Sequence, residues 1–202
     1  MNINLVRDRL THYAAWIYLR ELDCCICIPH KNGGSSFRRD IIKMRRWGIS
    51  DTTMSVMLRF SVDRHGPFYP EEVDEKYSDK EHFLSVRHPI NRFTSLWGNK
   101  CRDRRGFPRE LWGMTPDELM DYIETHEDRH WRRQSNYATK NTTPIHHDEL
   151  LQKIGVTSVL NATRIGNEDV PIRRILDHYA DDLRLWEDAC LRTNIVVESA
   201  AM

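Results

Sequence analysis

Apolar residues in the first part of the chain follow two different spacings. At the start they recur at helical spacing and predict an amphipathic opening helix, formed by Leu5, Leu10, Tyr13, Ala14, Ile17 and Tyr18. Residues 24–29 form a short apolar run typical of a buried strand, and the polar residues 30–36 after it include two glycines. Helical spacing then resumes at Phe37, Ile41, Ile42 and Met44. The pattern predicts a strand, a glycine loop and a helix in immediate succession.

The rest of the chain continues this alternation. Residues 54–62 and 83–86 are predicted strands, residues 71–81 a solvated loop between them, and Pro89 is placed to begin a helix. The later predicted elements are helices at residues 116–126, 170–179 and 182–191, and a short strand at residues 156–160. Strands that alternate with helices are typical of α/β proteins with a central sheet flanked by helices. Nothing in the pattern divides the chain, so residues 1–202 are expected to form a single domain.

Composition narrows the range of partners. Lysine plus arginine equals aspartate plus glutamate at 30 each, so net charge gives no reason to expect nucleic-acid binding. The apolar stretch at residues 14–19 is too short to cross a membrane, and no membrane partner is expected. Three of the five cysteines are crowded into residues 24–27, a spacing that does not suit a disulfide framework. We therefore expect buried free thiols and a cytoplasmic protein.

The glycine loop has the features of an anion site. At a helix start, the backbone amides of Gly33, Gly34 and Ser35 are expected to point toward one location, as a phosphate requires. Lys31 adds a mobile positive charge. In the common nucleotide-triphosphate loop the lysine follows the last glycine, whereas here it precedes both, so that motif does not match. For this loop taken alone, a glycine turn without a ligand is the alternative.

Directly after the predicted strand at residues 83–86, Arg87 and Ser95 resemble the 3′-phosphate motif of sulfotransferases, a family to which other segments are compared below. Arg87 offers a planar fork of donors, and Ser95 lies eight residues further along, about two helical turns inward. Arg92, from the residue pattern alone, is expected to be a solvated surface charge. Two phosphate signatures that each follow a strand are less easily explained by chance than one.

These segments resemble the donor site of sulfotransferases that use 3′-phosphoadenosine-5′-phosphosulfate (PAPS), particularly the carbohydrate-type branch. Residues 29–36 are similar to the family's 5′-phosphosulfate loop, although His30 separates the proline from the lysine. Residues 87–97 are similar to its 3′-phosphate motif, and residues 128–134 and 178–186 resemble two further segments. The resemblance covers most of the chain and implies a P-loop-kinase-like fold, with a central parallel sheet flanked by helices.

The resemblance also implies a reaction. A sulfuryl group would pass from PAPS to an acceptor hydroxyl, preferably of a sugar, and would leave adenosine 3′,5′-bisphosphate as the product. Lys31 would stabilise the charge that develops on the leaving 5′-phosphate, His130 would accept the hydroxyl proton, and no metal is required. The alternative bases are His30, His88, Glu127 and Asp128. The implied donor-binding residues are Lys31, Asn32, Gly33, Gly34, Ser35, Ser36, Arg87 and Ser95, with Arg92 a weaker candidate.

Two other functions remain open at this point. Residues 126–130 spell His-Glu-Asp-Arg-His, a pattern in which His126 and His130 would bind zinc and Glu127 would act as the base of a hydrolase. The charges of Asp128 and Arg129 between the histidines argue against a buried zinc helix. The other alternative is a kinase-like nucleotide-binding protein, which would use the glycine loop but would not need an arginine and a serine in the second motif.

Overall fold

The computed structural model describes residues 16–19, 22–32, 68–104, 108–153 and 169–193. Within these residues four strands form one sheet in the order β1, β2, β3, β4. The strands are β1 at Trp16–Leu19, β2 at Cys24–Cys27, β3 at Glu81–Val86 and β4 at Thr142–His146. β2, β3 and β4 are parallel, whereas β1 runs antiparallel to β2. The expected α/β class is confirmed, but the sheet is mixed and not wholly parallel.

Helices cover this sheet on both faces. In the described residues they are α1 at Pro70–Lys76, α2 at Pro89–Trp97, α3 at Pro116–Thr125, α4 at His147–Lys153, α5 at Ile172–His178 and α6 at Ala180–Arg192. Three of them begin with proline, whose fixed φ is helical and whose missing N–H has no helical partner at that position. None of the helices described here is long and apolar enough to span a membrane.

Most of the predicted elements in the described residues are confirmed, with small shifts of their ends. The confirmed strands are β2 and β3, and the confirmed helices are α2, α3, α5 and α6. β4 and α4 were not predicted. The predicted helix at Phe37 to Met44, the strands at residues 54–62 and 156–160, and the loop residues Gly33, Gly34, Ser35 and Ser36 lie outside the described residues.

The predicted opening helix is wrong where the structure describes it, because residues 16–19 form β1. A short apolar run is compatible with either a helix or a strand, and here pairing with β2 decides the outcome. The predicted loop at residues 71–81 is also wrong over its first part, which belongs to α1. Val73 and Tyr77, one helical turn apart, are buried and give this acidic segment an inward face.

Two hydrophobic cores lie on opposite faces of the sheet. One contains Ile17, Leu19, Cys24, Ile26, Phe83, Ile145, Leu150 and Leu151, and so packs α4 against the strands. The other contains Trp16, Cys25, Cys27, Phe68, Val73, Tyr77, Leu84, Val86, Tyr137 and Ala189, and so packs α1 and α6 against them. Every residue of β2 is buried, as expected for a strand covered on both faces. All five cysteines are free and buried, which confirms the expected thiols.

A third core fixes the helices that follow β3. It joins α2, α3 and α5 through Phe93, Leu96, Cys101, Leu111, Leu119, Met120, Ile123, Trp131, Ile175 and Tyr179. A π-helical turn, Gly98–Arg102, extends α2 into this core. Because α2 begins only three residues after the last residue of β3, the core also fixes the chain at the end of that strand.

Candidate functional site

The carboxyl ends of three parallel strands bring the predicted site residues to one edge of the sheet. Cys27 pairs with Leu84, and Val86 pairs with His146, so the chain leaves β2, β3 and β4 at neighbouring positions. Lys31 follows β2, and Arg87 is the first residue after β3. Ligands of α/β sheets commonly bind beyond this edge.

Lys31 occupies a tight turn in an uncommon backbone conformation. The amide of Asn32 donates to the carbonyl of Pro29 at 3.2 Å and closes the turn. Lys31 has a φ of 70°, in the left-handed region that favours glycine. Such conformations cost roughly 1–3 kcal/mol and persist where the surroundings hold them, often at functional sites.

Arg87 holds this turn to the end of β3. Its Nη1 donates to the carbonyl of Lys31 at 2.9 Å. Burial lowers the pKa of the guanidinium, Asp148 raises it, and Arg92 lowers it further, but a group with so high an ordinary pKa keeps its charge. The Nε of Arg87 is buried and has no hydrogen-bond partner in the described structure. The Arg87 side chain therefore contacts the backbone of Lys31, and its Nε keeps an unused donor.

A buried amide network lies beneath this contact. The Nδ2 of Asn32 donates to the carbonyl of Ser85 at 2.7 Å and to the Oε1 of Gln134 at 2.5 Å. Gln134 also accepts from the amide of Arg87 at 2.9 Å and donates through Nε2 to the carbonyl of Arg87 at 3.0 Å. Asn32 and Gln134 are both fully buried. Their side chains fix the backbone of the site.

Asp182, at the start of α6, anchors the other end of the network. It accepts from the amides of Gln134 and Ser135, each at 2.8 Å, and lies 3.5 Å from the Nη1 of Arg92. Asp182 is fully buried and Arg92 is 4% exposed. The interpretation of Arg92 as a solvated surface charge is therefore wrong.

Arg92 instead ties two loops together. Its Nε donates to the carbonyl of His30 at 3.2 Å, and its Nη2 donates to the carbonyl of Arg132 at 2.6 Å. These contacts hold the turn that carries Lys31 against the segment that follows His130. One turn further along α2, Ser95 is buried at 7% exposure.

His130 lies beside the Lys31 turn and is held by a carboxylate. Its Nδ1 is 2.5 Å from the Oδ1 of Asp128, and the same oxygen accepts from the backbone amide of His130 at 2.8 Å. The His130 ring lies 4.7 Å from the ring of His30, between centroids. Burial lowers the pKa of His130, and nearby Lys100 lowers it further, whereas Asp128 raises it. The predicted base therefore lies against His30, the residue before the predicted lysine, and its neutral form is favoured.

The zinc-hydrolase interpretation of this segment fails on geometry. α3 ends at Thr125, and His126 has extended backbone angles, so the two histidines do not lie one turn apart on a helix. The Nδ1 of His126 instead contacts the carbonyl of Tyr122 at 3.1 Å, and its ring stacks on that tyrosine. The pattern of letters was present without the helix that the metal site needs.

A different histidine pair lies at the end of β4. In the part of the chain that the structure describes, the one group of metal-ligating side chains is His146, His147 and Asp148, whose ligand atoms lie within 4.8 Å of one another. Asp148 lies 3.0 Å from the Nε2 of His147. Burial lowers the pKa of His146, nearby His147 and Arg87 lower it further, and Asp148 raises it.

Sequence reasoning named the residues at the edge and Asn32 beneath them, but it missed two other residues that hold the backbone there. Lys31, Arg87 and His130 were predicted, and the structure brings them to one side of the sheet. Gln134 and Asp182 were missed, because a buried bond between residues 48 positions apart leaves no local pattern. The one signal was indirect, since both lie in segments that resemble the same family.

Proteins that have an open α/β sheet with clustered cations beyond its carboxyl edge commonly bind anionic ligands there. A model of the sulfotransferase family matches residues 38–185, more than half of the chain, and the protein belongs to that family. The match includes Arg87, Ser95 and His130 but begins after Lys31. Neither a search of curated proteins nor one of solved structures returned a match. Sulfuryl transfer is therefore the class of reaction.

Proposed function

We propose that the protein transfers a sulfuryl group from PAPS to a hydroxyl of a carbohydrate and releases adenosine 3′,5′-bisphosphate. The observation that carries this proposal is the contact between the two phosphate motifs, in which Arg87 donates to the carbonyl of Lys31 at 2.9 Å. A donor with phosphates at both the 3′ and 5′ positions needs two cationic sites at one edge. The family match supports the reaction, and the resemblance of the two motifs supports the donor.

Arg87 and Ser95 are proposed to bind the 3′-phosphate. The unpartnered Nε of Arg87 fits an anion, because a buried donor without a partner is costly and a phosphate oxygen satisfies it. The 5′-phosphosulfate is assigned to Lys31 with the loop residues Gly33, Gly34, Ser35 and Ser36. Both amide hydrogens of Asn32 are used inside the protein, so we assign to Asn32 the role of holding this loop.

Lys31 and His130 are proposed to divide the chemistry between them. Sulfuryl transfer, like phosphoryl transfer, depends mainly on positioning and on stabilising the charge of the transition state. Lys31 meets the negative charge that grows on the leaving phosphate, and it therefore binds the transition state more tightly than the ground state. His130 accepts the proton of the acceptor hydroxyl. A kinase-like function is not favoured, because the matched family transfers sulfuryl groups.

Product binding tests the donor assignment. Adenosine 3′,5′-bisphosphate should stabilise the folded protein by about 2.7 kcal/mol at a hundredfold excess over its dissociation constant, whereas AMP should not. Arg87→Ala should remove the preference for the 3′-phosphate. Arg173→Ala is the matched control, because Arg173 is 96% exposed and pairs only distantly with Asp177 at 4.0 Å. If AMP stabilised the protein as much as the bisphosphate, the donor assignment would be wrong. It would also be wrong if ATP were the only nucleotide that stabilised the protein.

The carbohydrate acceptor rests on resemblance alone and needs its own assay. Purified protein with PAPS should transfer sulfate to sugar hydroxyls and not to small phenols when both are offered. Transfer to phenols alone would show that the acceptor class is wrong while leaving the donor site intact. A cytoplasmic location is also proposed, since all five cysteines are free.

A further inference from the structure

Asp128 and His130 form a hydrogen-bonded pair, and the proposed reaction gives a role only to His130. The Oδ1 of Asp128 lies 2.5 Å from the Nδ1 of His130, and it also accepts the backbone amide of His130 at 2.8 Å. The imidazole is 17% exposed and the carboxylate 36%. Two bonds to one oxygen hold the ring in a fixed orientation relative to its own backbone.

This arrangement selects one tautomer of the imidazole. A carboxylate that is ionised only accepts, so the short contact requires the proton on Nδ1. The other ring nitrogen, Nε2, then carries the lone pair and can take a proton. In the opposite tautomer Nε2 would bear the proton, and His130 could not act as a base from that side.

The surroundings of His130 explain why a carboxylate is needed. Burial, Lys100 and Arg129 all lower the pKa of His130, and Asp128 is the group that raises it. On the side of the Lys31 turn the neighbour is another imidazole, His30. Without Asp128 the base would be held neutral, but it would also be weak and free to change tautomer. Burial raises the pKa of Asp128, but its hydrogen bonds with His130 and the nearby Arg129 outweigh burial and lower the pKa overall, so the carboxyl stays ionised.

We propose that Asp128 is a positioning residue, which holds the Nδ1 proton of His130 so that Nε2 accepts the proton of the acceptor hydroxyl. The inference rests on the proposed function. As the acceptor oxygen bonds to sulfur, its proton moves to Nε2, the bond from sulfur to the bridging oxygen breaks, and the electron pair stays on the departing phosphate. The imidazolium that results is stabilised by the Asp128 carboxylate.

The tautomer can be measured without any substrate. In protein labelled with ¹⁵N-histidine, two-bond proton–nitrogen spectra at neutral pH should show His130 protonated on Nδ1 and not on Nε2. The chain contains ten histidines, and His130→Gln assigns the signal. Asp128→Asn should shift His130 toward a mixture of tautomers. A wild-type His130 protonated on Nε2 would overturn the proposal whether or not the protein transfers sulfate.

Kinetics then separate a positioning role from a structural one. Asp128→Asn should lower kcat about a hundredfold or more, as expected for impaired base catalysis, and leave the affinity for adenosine 3′,5′-bisphosphate unchanged. Because Asp128 raises the pKa of His130, its loss should also move the acidic limb of the rate profile to lower pH. Asp177→Asn, which removes an exposed acid from α5, should change neither quantity.

The two proposals fail in different ways. If Asp128→Asn changes the tautomer but kcat and the acidic limb stay the same, Asp128 is not a positioning residue. If wild-type protein with the predicted tautomer transfers no sulfate to any hydroxyl, the proposed function is wrong and the pair is structural. Thermal melting of Asp128→Asn checks that the fold is intact, and the wild-type spectrum needs no variant.

Discussion

At the scale of single residues, the backbone of Lys31 shows how the site is held. A lysine occupies a left-handed position where glycine would be unstrained, and its carbonyl accepts from Arg87 at 2.9 Å. The turn itself would form more easily with glycine at this position. Strain in the backbone thus accompanies a charge placed next to the proposed donor.

Substitution of Lys31 should separate stability from turnover. Lys31→Gly should be more stable than Lys31→Ala by about 1 kcal/mol, because only glycine adopts this φ without strain. Both variants should lose turnover far more than donor affinity, since both lack the ammonium group. Urea denaturation measures the stability difference, and steady-state kinetics with PAPS measures turnover.

An exposed helical position should give the opposite order of stability for glycine and alanine, and it serves as the control. At Glu187, in the middle of α6, glycine should be less stable than alanine by about 1 kcal/mol. If alanine were also the more stable residue at position 31, the left-handed conformation of Lys31 would be wrong.

At the scale of elements, the sequence predicted those whose ends carry strong local signals. Pro89 and Pro116 begin α2 and α3, and the apolar run of β2 was recognised directly. β4 escaped because its residues are mostly polar and Pro144 interrupts it. Pairing with β3 makes it a strand, and proline is tolerated because in the described sheet β4 lies at an edge. Long-range pairing is invisible to a local pattern.

The start of α6 should be far more sensitive to mutation than its neighbouring surface. Asp182→Ala would leave buried Arg92 without its carboxylate and two backbone amides without an acceptor, and should cost about 3–5 kcal/mol of unfolding free energy. Asp181→Ala removes the same charge from the adjacent, 53% exposed position, where the pair with Arg184 contributes about 0.5 kcal/mol or less. Thermal or urea unfolding of both variants measures the difference. Equal effects would show that the network is not a structural anchor.

At the scale of the whole molecule, the predicted α/β class is confirmed, and the residues proposed for the site follow strands of the observed sheet. The sheet was expected to be parallel, but β1 pairs antiparallel with β2. An antiparallel neighbour can be connected without a crossover helix. The family match and the sheet agree on the part of the chain that contains Arg87 and His130. Lys31, which precedes the match, is linked to them by direct contacts with Arg87 and, through its neighbour His30, with His130.

Chemical labelling of the buried thiols of β2 can measure how often the sheet opens. Burial raises the pKa of Cys24 to about 11 and of Cys25 to about 12, and Cys27 is raised as well. Burial both shields these thiols from reagent and disfavours their thiolates, so the rate at which Cys24, Cys25 and Cys27 are alkylated at pH 8 reports openings of the sheet. Adenosine 3′,5′-bisphosphate at a hundredfold excess over its dissociation constant should slow this labelling about a hundredfold if opening destroys the donor site. Labelling at one rate with and without the nucleotide would mean that β2 opens independently of the edge that binds it.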